Sequence, residues 1–147
     1  MRHFILTFFL LITANVILAQ SADSLTSCGF ILGSYSYPGE YIPADLKICA
    51  VSVSDSTATY CTTIMNRKNF TYKMKLPTGE YFVYAETKDI TDKAYYSEFV
   101  LCGMKANCPC HKKIIVKVIA QKKTKNINPT DWYHNGIIGQ TYPSSSD

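Results

Sequence analysis

The sequence lacks the patterns on which most enzyme classes depend. It holds three histidines in 147 residues, and none of them lies in a recognisable serine or cysteine nucleophile motif. No glycine-rich segment has the spacing of a phosphate-binding loop. The acids Glu86, Asp89 and Asp92 flank one loop, but their spacing matches no calcium loop, and we interpret them as solvated. We therefore predict no catalytic residues, no cofactor and no enzymatic activity.

Beyond residue 20 the chain also lacks any apolar run long enough to cross a bilayer. The apolar run at residues 4–18 follows the positive Arg2 and precedes polar residues, which is the order of a secretory signal peptide. An uncleaved membrane anchor is the alternative, but this run is shorter than the ~20 residues that a spanning helix needs. We expect cleavage after Ala19, with a cut after Ala22 as the alternative, and no stable membrane insertion afterwards. The predicted location is secreted, periplasmic or in the cell envelope. The predicted organisation is a signal peptide (1–19), an N-terminal extension (20–27), one domain (28–134) and a flexible tail (135–147).

A large excess of one charge is missing as well. The formal net charge is +4 and falls by one unit when Arg2 is removed, which is too little to argue for nucleic acid as a partner. The lysines are nevertheless uneven, because six of them fall in the C-terminal quarter. We interpret them as the guard of a strand edge against aggregation, with binding to an acidic surface as the alternative. These six are Lys112, Lys113, Lys117, Lys122, Lys123 and Lys125.

A helical period is nearly absent after residue 20, and alternation with period two takes its place. In residues 70–76 it predicts that Phe70, Tyr72, Met74 and Leu76 face the core and that the residues between them face water. A turn at 77–79 then leads into 80–86, which is apolar on both faces and is predicted as a central strand. The whole pattern predicts an all-β, seven-stranded Greek-key β-sandwich. Its strands are 29–37, 46–54, 57–64, 70–76, 80–86, 95–101 and 113–121.

Six cysteines lie beyond the predicted cleavage site, and an even number in an exported chain is typical of a disulfide framework. One pairing follows from strand register. If the turn after the second strand centres on Asp55, Cys49 and Cys61 face each other across a hairpin, at a Cα separation that suits a disulfide.

The remaining cysteines are assigned by their positions. Cys102 and Cys108 bracket a five-residue loop, and we predict a local disulfide between them. Cys28 then pairs with Cys110 and ties the start of the first strand to the start of the last. An exchange of Cys108 and Cys110 between these two pairs remains open.

The segment Cys108-Pro109-Cys110-His111 is the one place with the spacing of metal ligands. Two thiolates and an imidazole bind zinc or copper, so a metal site of Cys108, Cys110 and His111 is an alternative. The preferred interpretation is that both sulfurs are oxidised and that His111 is a surface residue, because thiols of exported proteins form disulfides.

The chain is also rich in aromatic residues. Eight tyrosines could form an exposed binding face, but we interpret most of them as strand residues divided between core and sheet surface. The eight are Tyr35, Tyr37, Tyr41, Tyr60, Tyr81, Tyr84, Tyr95 and Tyr96. The single tryptophan, Trp132, is predicted to pack back over the end of the sandwich. Asn69-Phe70-Thr71 matches the N-glycosylation pattern, which matters only in a eukaryotic secretory pathway.

Four segments, taken in order, resemble known domains. Residues 76–85 resemble the hairpin of transthyretin-like (prealbumin-like) and carboxypeptidase regulatory-like sandwiches, with leucine, proline, glycine and tyrosine at matching positions. Residues 37–50, 95–111 and 128–133 resemble a bacterial exported family in which a Cys-Gly…Cys…His segment and an Asp-Trp-Tyr end recur. The resemblance covers residues 28–133 and implies a sandwich without catalytic machinery. We therefore predict a structural module, or one that binds an unknown protein or glycan partner, with an exported metal-binding protein as the alternative.

Overall fold

The computed structural model describes residues 27–62, 65–108 and 110–133, which form two β-sheets around a common apolar core. This part of the chain is all-β, as predicted. The signal peptide, most of the N-terminal extension and the C-terminal tail lie outside the described residues. The elements are β1 (Cys28–Ser34), β2 (Lys47–Ser52), β3 (Thr59–Thr62), β4 (Met65–Asn66), β5 (Thr71–Pro77), β6 (Gly79–Glu86), β7 (Ala94–Tyr95), α1 (Glu98–Leu101), β8 (Ile115–Val118) and β9 (Lys123–Thr124).

The strands divide into a first sheet of four and a second sheet of five. The first sheet has the order β4-β5-β1-β9, in which β1 runs antiparallel to β5 and parallel to β9. In the second sheet β3, β2 and β6 are neighbours, and β7 and β8 both pair with the other edge of β6. The central position predicted for residues 80–86 is therefore confirmed.

The alternation along each strand decides which side chains enter the core. Ile31 and Met74 of the first sheet pack in one cluster with Ile48 and Val83 of the second, and all four are at least 96% buried. The inward and outward faces predicted for residues 71–76 are confirmed. Phe70 is a correction, since it is 48% exposed and has a φ of 51°. It ends the turn before β5, so the strand alternation does not reach it.

Most tyrosines serve the core and the sheet surfaces, as predicted. Those that are at least 92% buried are Tyr35, Tyr72, Tyr81, Tyr84 and Tyr96.

The segment predicted as a strand over 95–101 is a second correction. The strand ends at Tyr95, and Glu98–Leu101 form α1 instead. Ser97 is extended, and its carbonyl oxygen accepts the N–H groups of Val100 and Leu101, which starts the helical turn. An apolar run of three residues has no period that separates a strand from a helix. Among the described residues no helix is long and apolar enough to span a membrane.

The segment after β8 runs alongside β1 so closely that two positions require glycine. A Cβ atom on Gly33 would lie 1.8 Å from the carbonyl oxygen of Ile127, and one on Gly29 would lie 2.2 Å from that of Ile119. The hydroxyl of Tyr72 donates to the same Ile127 oxygen at 2.7 Å. Burial raises the pKa of Tyr72, so the hydroxyl keeps its hydrogen and remains a donor.

Two disulfides staple the second sheet and its loops. Cys49 lies directly opposite Cys61 between β2 and β3, with 4.1 Å between Cα atoms, which confirms the pairing that was derived from the turn. Cys102 and Cys108 are joined, with 6.1 Å between Cα atoms, as was also predicted. Two disulfides indicate an oxidising extracellular or periplasmic environment.

The predicted disulfide between Cys28 and Cys110 is not formed. The carbonyl oxygen of Cys28 accepts the N–H of Gln121, beyond the end of β8. Cys110 precedes the start of β8, and its thiol lies 2.8 Å from a carboxylate oxygen of Glu98. The run 113–118 between them is extended and spans about 16 Å at ~3.3 Å per residue. A disulfide tolerates only ~7 Å between Cα atoms, so the two cysteines lie too far apart.

Candidate functional site

A buried carboxylate organises the loops at one end of the two sheets. Asp131 is fully buried, and the Ser97 hydroxyl donates to its Oδ2 at 2.5 Å. The Nδ1 atom of His111 lies 2.9 Å from Oδ2 and 3.0 Å from Oδ1. The backbone groups of Asp131 and Tyr95 exchange hydrogen bonds, which fixes the carboxylate relative to β7. We call Ser97, His111 and Asp131 the carboxylate cluster.

The carboxylate cluster has the residue types of a hydrolase but a different arrangement. In a catalytic triad the histidine accepts the serine proton and the carboxylate orients the histidine. Here Ser97 donates to the carboxylate itself and is fully buried, so its oxygen cannot reach a substrate. His111 also stacks on Phe99, with ring centroids 4.4 Å apart. The cluster therefore ties three segments of chain together instead of presenting a nucleophile.

His111 had been predicted as a surface residue, but its side chain is only 28% exposed and lies against Asp131. No local sequence signal identifies this contact, because the partners lie 20 residues apart. The sequence did single out the Asp-Trp-Tyr segment as part of a resemblance, and this was the only pointer to Asp131.

The three proposed metal ligands do not converge as a ligand set. The sulfur of Cys108 is bonded to Cys102 and is no thiolate. The Nδ1 atom of His111 faces Asp131, while Cys110 is exposed. A metal site at Cys108, Cys110 and His111 would therefore lack the Cys108 ligand as long as this disulfide is intact.

Another group of metal-ligating atoms occurs in the described part of the chain, and it consists of Cys49, Cys61 and Glu86. The two sulfurs are joined in a disulfide. The carboxylate of Glu86 lies 2.9 Å from the Lys47 ammonium and 3.3 Å from that of Lys93. Two cations thus already neutralise the only charged ligand, and the group has the chemistry of an ion-pair network.

An aromatic cleft of about 280 Å³ opens beside the carboxylate cluster. Trp132 is 7% exposed, and its Nε1–H donates to the carbonyl oxygen of Ser36 at 2.9 Å. The Tyr37 ring meets the Trp132 ring edge-on at 5.6 Å. The prediction that Trp132 packs over the end of the sheets is therefore confirmed. We call this the loop-end cleft, and its lining residues are Ser36, Tyr37, Pro38, Met104, Thr130, Trp132 and Tyr133.

The loop-end cleft has an ordered floor and an exposed rim. Met104 and Tyr133 form the rim and are 45% and 51% exposed. The Thr130 hydroxyl lies 3.6 Å from the Met104 sulfur and positions it. At the floor, burial, assisted by the charges of two nearby aspartates, raises the pKa of Tyr37. Its hydroxyl is therefore neutral at physiological pH.

Comparison of the chain with protein-family models, with curated proteins and with solved structures finds no match. The resemblance to prealbumin-like sandwiches consequently stays a prediction.

Proposed function

We propose that this chain is an exported, non-enzymatic β-sandwich module of the Greek-key, prealbumin-like type, and that it binds a protein partner through the loop-end cleft. The observation that carries the proposal is the cleft itself, which combines an ordered aromatic floor with an exposed rim of Met104 and Tyr133. The two disulfides support export, because such bonds persist in oxidising compartments.

The chemistry of the cleft favours a protein over a glycan as its occupant. Aromatic and methionine side chains are the residues enriched at the centres of protein interfaces. Methionine in particular adapts its shape to a partner, since it is unbranched and polarisable. No charged side chain and no carboxamide lines the cleft, whose side-chain hydroxyls are those of two tyrosines, Ser36 and Thr130, so a sugar would leave many of its own hydroxyls without partners. An apolar side chain of a partner protein meets no such penalty.

The surroundings of the cleft also reduce the entropic cost of binding. Asp131 fixes the chain that carries Trp132 and Tyr133, and the disulfide Cys102–Cys108 closes the loop that carries Met104. A binding surface that is already ordered loses less conformational freedom when a partner docks.

The test is retention of a partner by variants of the rim. The double substitution Met104→Asn and Tyr133→Ala removes the rim, and asparagine tolerates the φ of 55° at position 104. Tyr41→Ala is the matched control, because Tyr41 is 83% exposed and lies outside the cleft. Each immobilised protein is incubated with secreted and envelope proteins of the source cells, and bound proteins are quantified by mass spectrometry.

We expect a partner that the unaltered chain and the Tyr41→Ala variant retain equally, and that the rim variant retains about tenfold less. Equal retention by all three proteins would refute binding at the cleft. Recovery of no partner, together with turnover of a substrate by the purified chain, would refute the non-enzymatic assignment.

A further inference from the structure

The first sheet and its adjoining turns carry positive charges and no carboxylate. Residues 27–34, 65–77 and 119–130 supply this sheet and contain seven lysines and arginines but no aspartate or glutamate. A surface of one sign attracts polymers of the opposite charge, even when the net charge of the whole protein is small. The seven cations are Arg67, Lys68, Lys73, Lys75, Lys122, Lys123 and Lys125.

The register of the sheet arranges the exposed lysines on both sides of β1. Phe30 of β1 pairs with Lys75 of β5 and with Lys123 of β9. Two residues further along β1, Leu32 pairs with Lys73. Directly paired residues project from the same face, and the core residues of β1 and β5 project from the other. The outer face therefore carries lysines on β5 and β9, about 10 Å apart across two strand spacings, with an apolar strip between them.

A groove of about 580 Å³ lies at one end of this face. Lys73 and Lys125 both line it. Its lining also includes Leu32, Ser34 and Thr71. We call it the basic groove. Its wall is completed by the carboxamides of Asn66, Asn126 and Asn128.

Two of these carboxamides have their oxygens engaged by backbone N–H groups. The Oδ1 atom of Asn128 accepts the backbone N–H of Ser34 at 2.9 Å. The Oδ1 atom of Asn66 accepts the N–H groups of Lys68 and Asn69, at 3.0 and 3.3 Å. With the oxygens engaged, the NH₂ groups are the polar atoms left for a ligand. Ammonium and amide donors together match a ligand that is rich in acceptor oxygens and carries negative charge.

We propose that the basic groove and the lysines around it bind an acidic polysaccharide, a polymer of sugars that carry carboxylate or sulfate groups. The lysines pair with the anionic groups, while the amides and the hydroxyls of Ser34 and Thr71 hydrogen-bond to sugar oxygens. Leu32 offers an apolar surface to the face of a sugar ring. The site shares no residue with the loop-end cleft and adds a second ligand to the proposed function.

Two other polyanions fit this face less well. Single-stranded nucleic acid needs open aromatic rings on which bases stack, but the Lys73 ammonium covers the Phe30 ring at 4.4 Å. A membrane surface is bound most firmly when exposed apolar side chains insert into it, and the two apolar side chains that lie between the lysines, Phe30 and Leu32, are partly buried. The amide donors of the basic groove provide neither a surface on which bases stack nor an apolar side chain that inserts into a membrane.

The test measures binding of the full chain to polygalacturonate, dextran sulfate and neutral dextran at two salt concentrations. The variant Lys73→Gln with Lys125→Gln removes two charges from the groove. Lys88→Gln with Lys105→Gln removes two exposed charges elsewhere and is the matched control. Asn128→Asp keeps an oxygen for the Ser34 N–H and places a carboxylate in the groove.

We expect binding to one or both acidic polymers, weaker at high salt, and none to neutral dextran. The groove variant and Asn128→Asp should each weaken binding about tenfold, and the control about twofold or less. Preference between the two acidic polymers identifies carboxylate or sulfate as the recognised group. Equal losses in the groove and control variants, or tighter binding to oligothymidylate or to phosphatidylglycerol vesicles, would overturn the proposal. Rim variants of the loop-end cleft should bind both polymers normally, which separates this test from that of the proposed function.

Discussion

Ser97 donates its hydroxyl hydrogen to Asp131 over 2.5 Å, and both residues are fully buried. A carboxylate is taken out of water only when hydrogen bonds or opposite charge replace its hydration. Ser97, His111 and the N–H of Tyr133 supply these replacements from three segments of chain. The loops of the candidate site are therefore held by one charged group.

The first prediction is that Asp131→Asn lowers the free energy of unfolding by about 2–4 kcal/mol. The substitution keeps the size of the side chain but replaces one acceptor oxygen by a donor, which then faces the donors Ser97 and His111. Urea denaturation followed by Trp132 fluorescence measures it. Asp89→Asn, at an exposed position, should stay within about 0.5 kcal/mol of the unaltered protein. Equal effects of the two substitutions would contradict a structural role for the buried carboxylate.

The second prediction concerns the disulfides. Removal of one by Cys49→Ala with Cys61→Ala should destabilise the chain by about 3 kcal/mol, from the loop entropy released in the unfolded state. Removal of the other, by Cys102→Ala with Cys108→Ala, should cost about 2 kcal/mol because its loop is shorter. Urea denaturation compares the two. Peptide mapping without reduction should find both linkages, and iodoacetamide should label the exposed Cys110 in the folded protein. A free thiol at Cys49 or Cys61 would contradict the register of β2 and β3.

Sequence reasoning succeeded where one local rule decides the outcome. In β5 each side chain faces either core or water, so alternation alone predicted the burial of Tyr72, Met74 and Leu76. The pairing of Cys49 with Cys61 followed from the position of one turn. The prediction that Phe70 faces the core was wrong, because Phe70 has a positive φ and ends the turn before the strand begins.

The candidate site was far less predictable, since its residues meet only through the fold. Ser97 lies 34 positions from Asp131, and no period along the chain connects them. The pairing of Cys28 with Cys110 was reached by elimination, which assumes that every cysteine is oxidised. It took no account of β8, whose extended chain separates the two. The basic groove depends likewise on a parallel pairing of β1 with a two-residue strand, β9, that is too short to show alternation.

The third prediction is that Gly33→Ala destabilises the chain by roughly 3 kcal/mol or prevents folding. The added Cβ would lie 1.8 Å from the carbonyl oxygen of Ile127, so β1 and the segment beside it would have to move apart. Gly79→Ala is the matched control, because its Cβ would meet only the Tyr81 ring, at 3.4 Å. The control should change the free energy of unfolding by less than about 1 kcal/mol in urea denaturation. A normal stability for Gly33→Ala would show that the segment around Ile127 does not lie against β1.

The fourth prediction is a pH dependence of stability that originates at Glu86, which lies between Lys47 and Lys93. Burial by itself would raise the pKa of Glu86, but hydrogen bonds from the two lysines outweigh it and hold the pKa below its ordinary value of 4.5. A carboxyl group whose pKa is lower in the folded state stabilises the protein fully above the unfolded value. This stabilisation is lost as the pH falls through the folded value. Glu86→Gln should therefore be less stable than the unaltered chain at about pH 7, and the difference should disappear near about pH 3. Denaturation in urea across this range measures it, with the exposed Glu80→Gln as control. A difference of the same size at both ends of the range would mean that Glu86 acts through packing and not through its charge.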